Sequence, residues 1–508
     1  MRGTLDPEAD AAEDVCTTFS WRVPATVPRR QASRGVRQVA VRRPALVLVL
    51  ALALLGCAGC TLAVRASGGV LGARWGLYAL LVLWLVLAAV AARLTDLALR
   101  GRAAVLTVAA GALALHALAL TAGPQLSDDL YRYVWDARVA ATGTDPYRYA
   151  PDDPALAGLR DPALWPSPQE CARVRAERPD AARTDPFPLE PRPPGCTLIN
   201  RPGVRTIYPP TAQLAFRGAA VLTAPVQTLE LRVQLPAAAV SLALTAGLVV
   251  ALRATGRGPG GALLHAASPL AGVEAVMDGH VDVLAAALGL GLVAVLARER
   301  RGPALPVAAG VLLAAATLVK LYPAALAVVV AARWGWRSAR TWAAAATAVA
   351  ATALLYAPHV ADVGAQVLGY LPGYLQENGY DSGERYLLVP LPPSAAPAGV
   401  ALGLIALVAW GALRPVPGDL AAVAARAAAV LGGAFLLLTP GNAWYCTLLV
   451  ACAVVGRRPE WLLVVVASWT VYFRAVLDDP SPWPRASYVV AALVVLVAAL
   501  VRRRRAAP

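Results

Sequence analysis

Charge is scarce in this chain, and lysine is nearly missing. Only 15% of the 508 residues are Asp, Glu, Lys or Arg, and of the 46 basic side chains a single one, Lys320, is a lysine. Soluble globular chains carry about a quarter of their residues as charged side chains, so an ordinary string of soluble domains is excluded. No P-loop, dinucleotide-binding glycine pattern, zinc spacing or Ser-His-Asp arrangement is present, so no nucleotide energy source is visible. The seven cysteines make no metal pattern. Cys57 and Cys60 lie in the first apolar run, where "LLGC" mimics a lipoprotein cleavage box. A long stretch before that run and many apolar runs after it argue against this processing. Cys171 and Cys196 share one hydrophilic loop, where a disulfide and two free thiols are both open outcomes.

What the chain does have is apolar residues in runs: 58% are hydrophobic, and the mean hydropathy is +0.57. A bilayer core asks about 20 apolar residues of each helix, and runs of that kind recur from 44 to 501. The expected fold is therefore all-α, a polytopic transmembrane bundle of about 11–14 helices. The net charge of +15 points to topology and anionic membrane lipids, with no nucleic acid as partner. Arginines crowd residues 1–43, expected as a disordered cytoplasmic tail, and Arg502 to Arg505 in a second basic tail over 502–508. With both tails inside, the polar segments 123–208 and 358–395 fall on the outer face of a bacterial plasma membrane, which makes that face the working surface. Two runs are ambiguous. The run 304–332 is interrupted by Lys320, Tyr322 and Pro323, and reads as one kinked helix or two short ones. The run 260–277 holds His265, Pro269 and Glu274 and reads as a partial span.

The residues that carry chemistry sit at these polar interruptions. Asp128 and Asp129 open "SDDLYRYVWDAR", whose pattern predicts a short interfacial helix over 130–141 with Tyr131, Tyr133 and Trp135 at headgroup depth. The pair reads either as a solvated helix cap or as a general base for an acceptor hydroxyl. "MDGHVDV" places His280 and Asp282 at the start of an apolar run, with Glu274 and Asp278 close by. Intramembrane ionisable groups default to function, against which stands a structural hydrogen bond between helices. Lys320, a lone cation in an apolar stretch, needs an anionic partner: a lipid phosphate, or an Asp such as Asp282 or Asp129. "RTIYPP" enters a helix through Pro209 and Pro210, with Arg205 and Tyr208 as candidates for phosphate or sugar contact. Tyr380 lies in a Tyr-, Gly- and acid-rich loop suited to sugar binding or to an interfacial turn. Trp444 and Tyr445 read as substrate contacts or as aromatic-belt residues.

In their order along the chain, "SDDLYRYVWDARV…GTDPYRYAPDDPAL", "TIYPP", "GHVD", "LVKLYP" and "NAWY" resemble the GT-C glycosyltransferases. Within them the likeness is to glycosyltransferase family 87 and the related polyprenol-phosphate-mannose-dependent mannosyltransferases, over about residues 100–480. The resemblance implies a multi-span fold whose enlarged first outer loop carries interfacial helices and an acidic base. It implies a Tyr four positions after that base, which Asp129 and Tyr133 satisfy, with Asp128 in reserve. It also implies Lys320 at the donor phosphate and matches His280 to a recurrent Gly-His-x-Asp element; with the readings above, Arg205 and His280 join Lys320 there, and Tyr133, Tyr208, Asp282, Tyr380 and Trp444 are the substrate-binding candidates. The donor would be a sugar, weighted to mannose, on polyprenyl phosphate, and the acceptor a glycolipid or polysaccharide. No cofactor is indicated. A divalent metal at Asp128 and Asp129 is conceivable, but no ligand set of metal-site quality can be assembled. A transporter or lipid-linked-sugar flippase is the rival from another class. It would show repeated halves and paired broken helices, and no clear repeat is visible. A non-catalytic assembly factor that keeps the fold is a third possibility.

Overall fold

The computed structural model describes residues 32–67, 75–177, 190–192, 195–298 and 302–506. It is 74% helical, with one two-stranded hairpin pairing Glu190–Arg192 with Gly195–Thr197. The chain divides into two units, Met1–Ala45 and Leu46–Pro508, and every element that builds the cavity below belongs to the second. The expected tail over 1–43 lies outside the described residues as far as residue 31; from Ala32 the chain is already helical, in the helix Ala32–Ala66. At the other end the basic run 502–505 is the last turn of the helix Trp483–Ala506 rather than a separate tail. Arginine is a good helix former, and cations suit a helix C-terminus.

Among the described residues nine helices are long and apolar enough to cross a membrane, or ten if the bent pair Leu270–Met277 and Asp282–Leu296 is one span. This is a multi-pass membrane protein. The number falls below the expected 11–14 because several apolar runs make only short helices. The run 304–332 splits into Ala304–Thr317 and Tyr322–Trp334, and the run 444–456 gives Ala443–Val455. The run 209–228 gives Pro210–Leu222, whose 13 residues span about 20 Å, short of a ~30 Å hydrocarbon core. The run 260–277 is irregular throughout: a 3-10 turn at Pro259–Ala262, one α-turn at Leu263–Ala266 and a π-helix at Leu270–Met277. The segment expected to be polar from 358 begins later, because the helix Ala339–Val363 runs on through Pro358.

The centre of the molecule is the helix Cys446–Val455, buried at every position, with Trp84, Leu270, Leu292 and Trp469 in the same cluster. The helix Ala339–Val363 is the opposite case. It buries only Ala344 and leaves Val349 and Leu354 largely exposed, so its apolar surface is covered by hydrocarbon rather than protein. A second, smaller cluster joins Leu130, Tyr133 and Trp135 to Tyr208, Phe216, Ala285 and Val319. It underlies the candidate site.

Candidate functional site

A cavity of about 910 Å³ opens where six stretches meet: the segment after the helix Gly101–Ala119, residues 200–209, the break between the helices Ala304–Thr317 and Leu326–Trp334, and the segments 370–386, 435–445 and 472–476. That volume suits a drug-sized ligand or a small glycan. Asp128, Asp129, Arg205, Tyr208, Lys320, Tyr380 and Trp444 all line it. Residues from five separate sequence motifs are thus brought to one space.

The carboxylate pair is held from three sides. The amides of Gln125 and Leu126 donate to the Asp278 carboxylate at 2.5 and 3.1 Å, which ties the approach to the pair against the "MDGH" turn. Asp128 then sits at the N-terminus of the helix Asp129–Ala141, and Asp129 in its first turn, where the positive end of the helix dipole favours an ionised acid. Asn200 donates from one amide nitrogen to Asp128 at 2.7 Å and to Asp129 at 2.8 Å. The Tyr208 hydroxyl donates to the other oxygen of Asp129 at 2.8 Å. Burial and the adjacent Asp129 push the Asp128 carboxyl up to about 8. Burial acts the same way on Asp129, but His280, Lys320 and the hydrogen bonds from Tyr208 and Asn200 outweigh it and hold that carboxyl below its ordinary range.

The short helix expected over 130–141 is present as Asp129–Ala141, packed into the protein. Leu130 to Tyr133, Trp135 to Ala137 and Val139 are buried, so the helix lies under the loop, against Pro210–Leu222. Arg132 explains how a polar helix tolerates this. It pairs with Asp136 at 3.0 Å and donates to the Val204 carbonyl at 3.0 Å. Asp136 also accepts from Thr206 at 2.5 Å and Gln213 at 2.9 Å. This network fastens residues 204–213 to the helix. The double proline then starts the next helix as expected, with Pro210 in its first turn. Tyr208 is thereby aimed at Asp129, and its ring meets Tyr133 edge-on at 4.9 Å. Tyr133 itself is fully covered and stacks on Phe216 at 4.2 Å, so it supports Tyr208 from below rather than lining the cavity.

Lys320 sits in the break between the two short helices. Its ammonium lies 4.6 Å over the Tyr208 ring and 5.6 Å from that of Tyr445. Its nearest carboxylate is Asp282 at 3.8 Å, one of the two acids anticipated. That contact is long, and neither Asp282 oxygen makes a hydrogen bond, so the ammonium keeps donor capacity towards the cavity. Arg205 lines the mouth instead. It is exposed, and its Nε donates to the Arg148 carbonyl at 3.0 Å.

His280 and Asp282 lie behind the lining rather than in it. The imidazole stacks on Trp444 at 3.9 Å and shares Nδ1 with the Glu274 carbonyl at 3.0 Å. Trp444 is buried in this stack and is no aromatic-belt residue. Glu274 accepts from Trp469 at 2.9 Å. Glu274, Asp278 and His280 offer ligand atoms within 4.8 Å of one another and could hold a metal ion. Several of those lone pairs are already taken by Trp469 and by the amides of Gln125 and Leu126.

Several lining residues carry no signal in the sequence. Asn200 bridges the acids, Glu377 forms an ion pair with Arg201 across the mouth, and Asn442 donates to the hydroxyls of Tyr374 and Tyr445 at 3.1 and 3.0 Å. Asn200 and Glu377 lie far in sequence from Asp128, Asp129 and Arg201; Asn442 sits three residues before Tyr445, but its other partner, Tyr374, is 68 residues away. Tyr445, set beside Trp444 at the sequence level, lines the cavity as well. The loop itself is cross-linked, with Cys171 and Cys196 forming a disulfide. No family model, curated protein or solved structure matches this chain.

Proposed function

We propose that this protein is an integral-membrane glycosyltransferase of the GT-C type. It moves a sugar, mannose by family weight, from polyprenyl phosphate to a glycolipid or polysaccharide hydroxyl on the outer face of a bacterial plasma membrane. One observation carries this. Tyr208 touches both poles of the cavity: its hydroxyl donates to Asp129, and its ring lies under the Lys320 ammonium. A base at the hydroxyl of one aromatic residue and a cation over its ring suit a substrate that offers both a hydroxyl and a leaving phosphate.

The reaction is a single displacement. Asp129, ionised at neutral pH, takes the proton of the acceptor hydroxyl. The oxygen bonds to the anomeric carbon as the bond to the phosphate oxygen breaks, and that electron pair leaves with the phosphate. Lys320, with Arg205 at the mouth, stabilises the charge that develops there. Such a displacement inverts the anomeric centre. Leu371, Leu375, Phe435, Leu438 and Val476 give the cavity an apolar side suited to the first isoprene units.

The test uses membranes with radiolabelled polyprenyl-phosphate-mannose. Wild type should transfer label to glycolipid or glycan. Asp129→Asn at equal expression should lose about 10²–10⁴-fold. Full activity in that variant would remove Asp129 as the base.

A transporter is favoured by one feature, the 119° bend between Leu270–Met277 and Asp282–Leu296, since broken helices mark transport sites. A transporter or flippase would move labelled lipid or sugar across the membrane without making a new glycosidic bond, so product analysis separates the two.

A further inference from the structure

Residues 195–202 form a strap across the carboxylate pair, tied down on both sides of Asn200. Before it, Cys196 is bonded to Cys171, and the Cα atoms are 6.0 Å apart. Both cysteines are buried. Thr197 donates through Oγ1 to the Leu164 carbonyl at 2.8 Å, and the Leu198 amide donates to the same carbonyl at 3.0 Å. Ile199 is fully covered, and its amide donates to Thr197 Oγ1 at 3.2 Å. After it, Arg201 forms an ion pair with Glu377, and the Pro202 carbonyl accepts from the Asp152 amide at 3.1 Å. Asn200 therefore reaches the acids from an anchored backbone.

We infer that Asn200 is a positioning residue for the transfer proposed above, and that the Cys171–Cys196 disulfide presents it to Asp128 and Asp129. The inference rests on that glycosyltransferase reading for the reaction, but not for the geometry. An amide nitrogen has two hydrogens, and here each is directed to a different carboxylate. The asparagine thus fixes the spacing of the two acids and the rotamer of each. One lone pair on each oxygen of Asp129 is engaged, by Asn200 and by Tyr208. The remaining lone pairs, held in one orientation, are those that meet an incoming hydroxyl. Without the amide, the two carboxyl groups lose a shared hydrogen-bond donor that fixes their rotamers, and the base leaves its line of attack.

A second consequence concerns how the two acids share protons. Asn200 lowers the carboxyl pKa of both Asp128 and Asp129, while only Asp129 has Tyr208, His280 and Lys320 as further partners. The environment separates the pair into one ionised and one protonated acid, and the bridge holds them in the places where those environments differ.

The experiment uses the full-length protein in nanodiscs with Asn200→Ala, Asn200→Gln and the double variant Cys171→Ser/Cys196→Ser. Melting temperature and elution volume establish that each variant is folded. Two readouts follow. The first is transfer from polyprenyl-phosphate-mannose across pH 5–9. The second needs no donor: modification by a water-soluble carbodiimide, which attacks protonated carboxyls, is located by peptide mass at Asp128 or Asp129. Wild type should be modified mainly at Asp128. Asn200→Ala and the double serine variant should each lose about 10²-fold in kcat, with donor KM little changed, and should lose the preference for Asp128. Asn200→Gln, which keeps the amide, should recover part of both. An Asn200→Ala protein with the wild-type pH profile and labelling preference overturns the positioning role. A double serine variant that behaves as wild type overturns the part given to the disulfide. If wild type transfers no sugar yet its labelling preference depends on Asn200, the positioning stands and the glycosyltransferase reading falls.

Discussion

Asp128 and Asp129 are neighbours in sequence with opposite fates. Asp128 is buried beside a second acid and keeps its proton up to about pH 8; Asp129 is held ionised by Tyr208, Asn200 and the nearby cations. For stability the sign follows from proton counting. The folded chain holds a proton on Asp128 that an unfolded carboxyl releases above its ordinary 3.8. The contribution of Asp128 is therefore whole below 3.8 and is lost as pH rises towards about 8. For activity, kcat/KM should be level from pH 5 to 7 and fall above about pH 8, where a second charge appears beside the base. In Asp128→Asn that alkaline limb should vanish while transfer persists. A limb that stays in the variant would mean another group titrates there. At this scale the sequence was informative wherever polarity interrupts apolarity: Asp128, Asp129, Lys320, Tyr208 and Trp444 all reach the cavity or its wall. It was silent on Asn200, and it marked the loop of Tyr374 and Glu377 without distinguishing those two, because their roles come from contacts with partners far along the chain.

Elements explain how a loop can be precise. The Arg132–Asp136 pair is buried at both ends and satisfies Thr206, Gln213 and the Val204 carbonyl at once. Replacing Asp136 with Ala strands a buried guanidinium and should cost about 3–5 kcal/mol, read as a large fall in melting temperature. A fall within experimental error would mean the guanidinium finds water. Gly369 acts on the same segment from the other side. It holds φ at +53°, and a Cβ there would collide with the Thr206 carbonyl oxygen. Gly369→Ala should cost at least about 1 kcal/mol and raise the donor KM through Tyr208, two residues from Thr206. An unchanged KM would separate this contact from the site. Helices with long unbroken apolar runs were legible in the sequence, because hydrocarbon thickness sets their length. The breaks were less so. Lys320 and Pro323 marked the split in 304–332, whereas in 209–228 only Pro225, three residues past Leu222, marked that the helix would stop after 13 residues.

At the scale of the molecule, one group of arginines lies at helix ends away from the cavity. Arg257 donates to the Val454 carbonyl at 2.6 Å, Arg426 to that of Arg414 at 2.8 Å, and Arg502 pairs with Glu460 at 2.7 Å. The short helix Ala443–Val455 starts at the cavity with Trp444 and Tyr445 and ends at this arginine-bearing end. At 13 residues it is shorter than a ~30 Å hydrocarbon core asks of a helix. The positive-inside rule predicts that the cavity lies outside, in keeping with the function proposed above. Single cysteines at the exposed positions Gly158 and Arg414 test this. A membrane-impermeant maleimide should label Gly158→Cys in intact spheroplasts and Arg414→Cys only after permeabilisation. The reverse pattern would invert the protein. Both variants are made in a Cys16→Ser background, since Cys16 lies outside the described residues; among the described residues Cys57, Cys60, Cys446 and Cys452 are buried and Cys171 and Cys196 are bonded.

The lysine at the break between the short helices also makes the cavity chemically addressable. With one lysine side chain in the sequence, and its ammonium lining the cavity, an amine-selective acylating reagent that modifies a lysine reports on this one position. Protection of that amine by a bound lipid phosphate would give a titration of site occupancy that requires neither turnover nor an engineered residue.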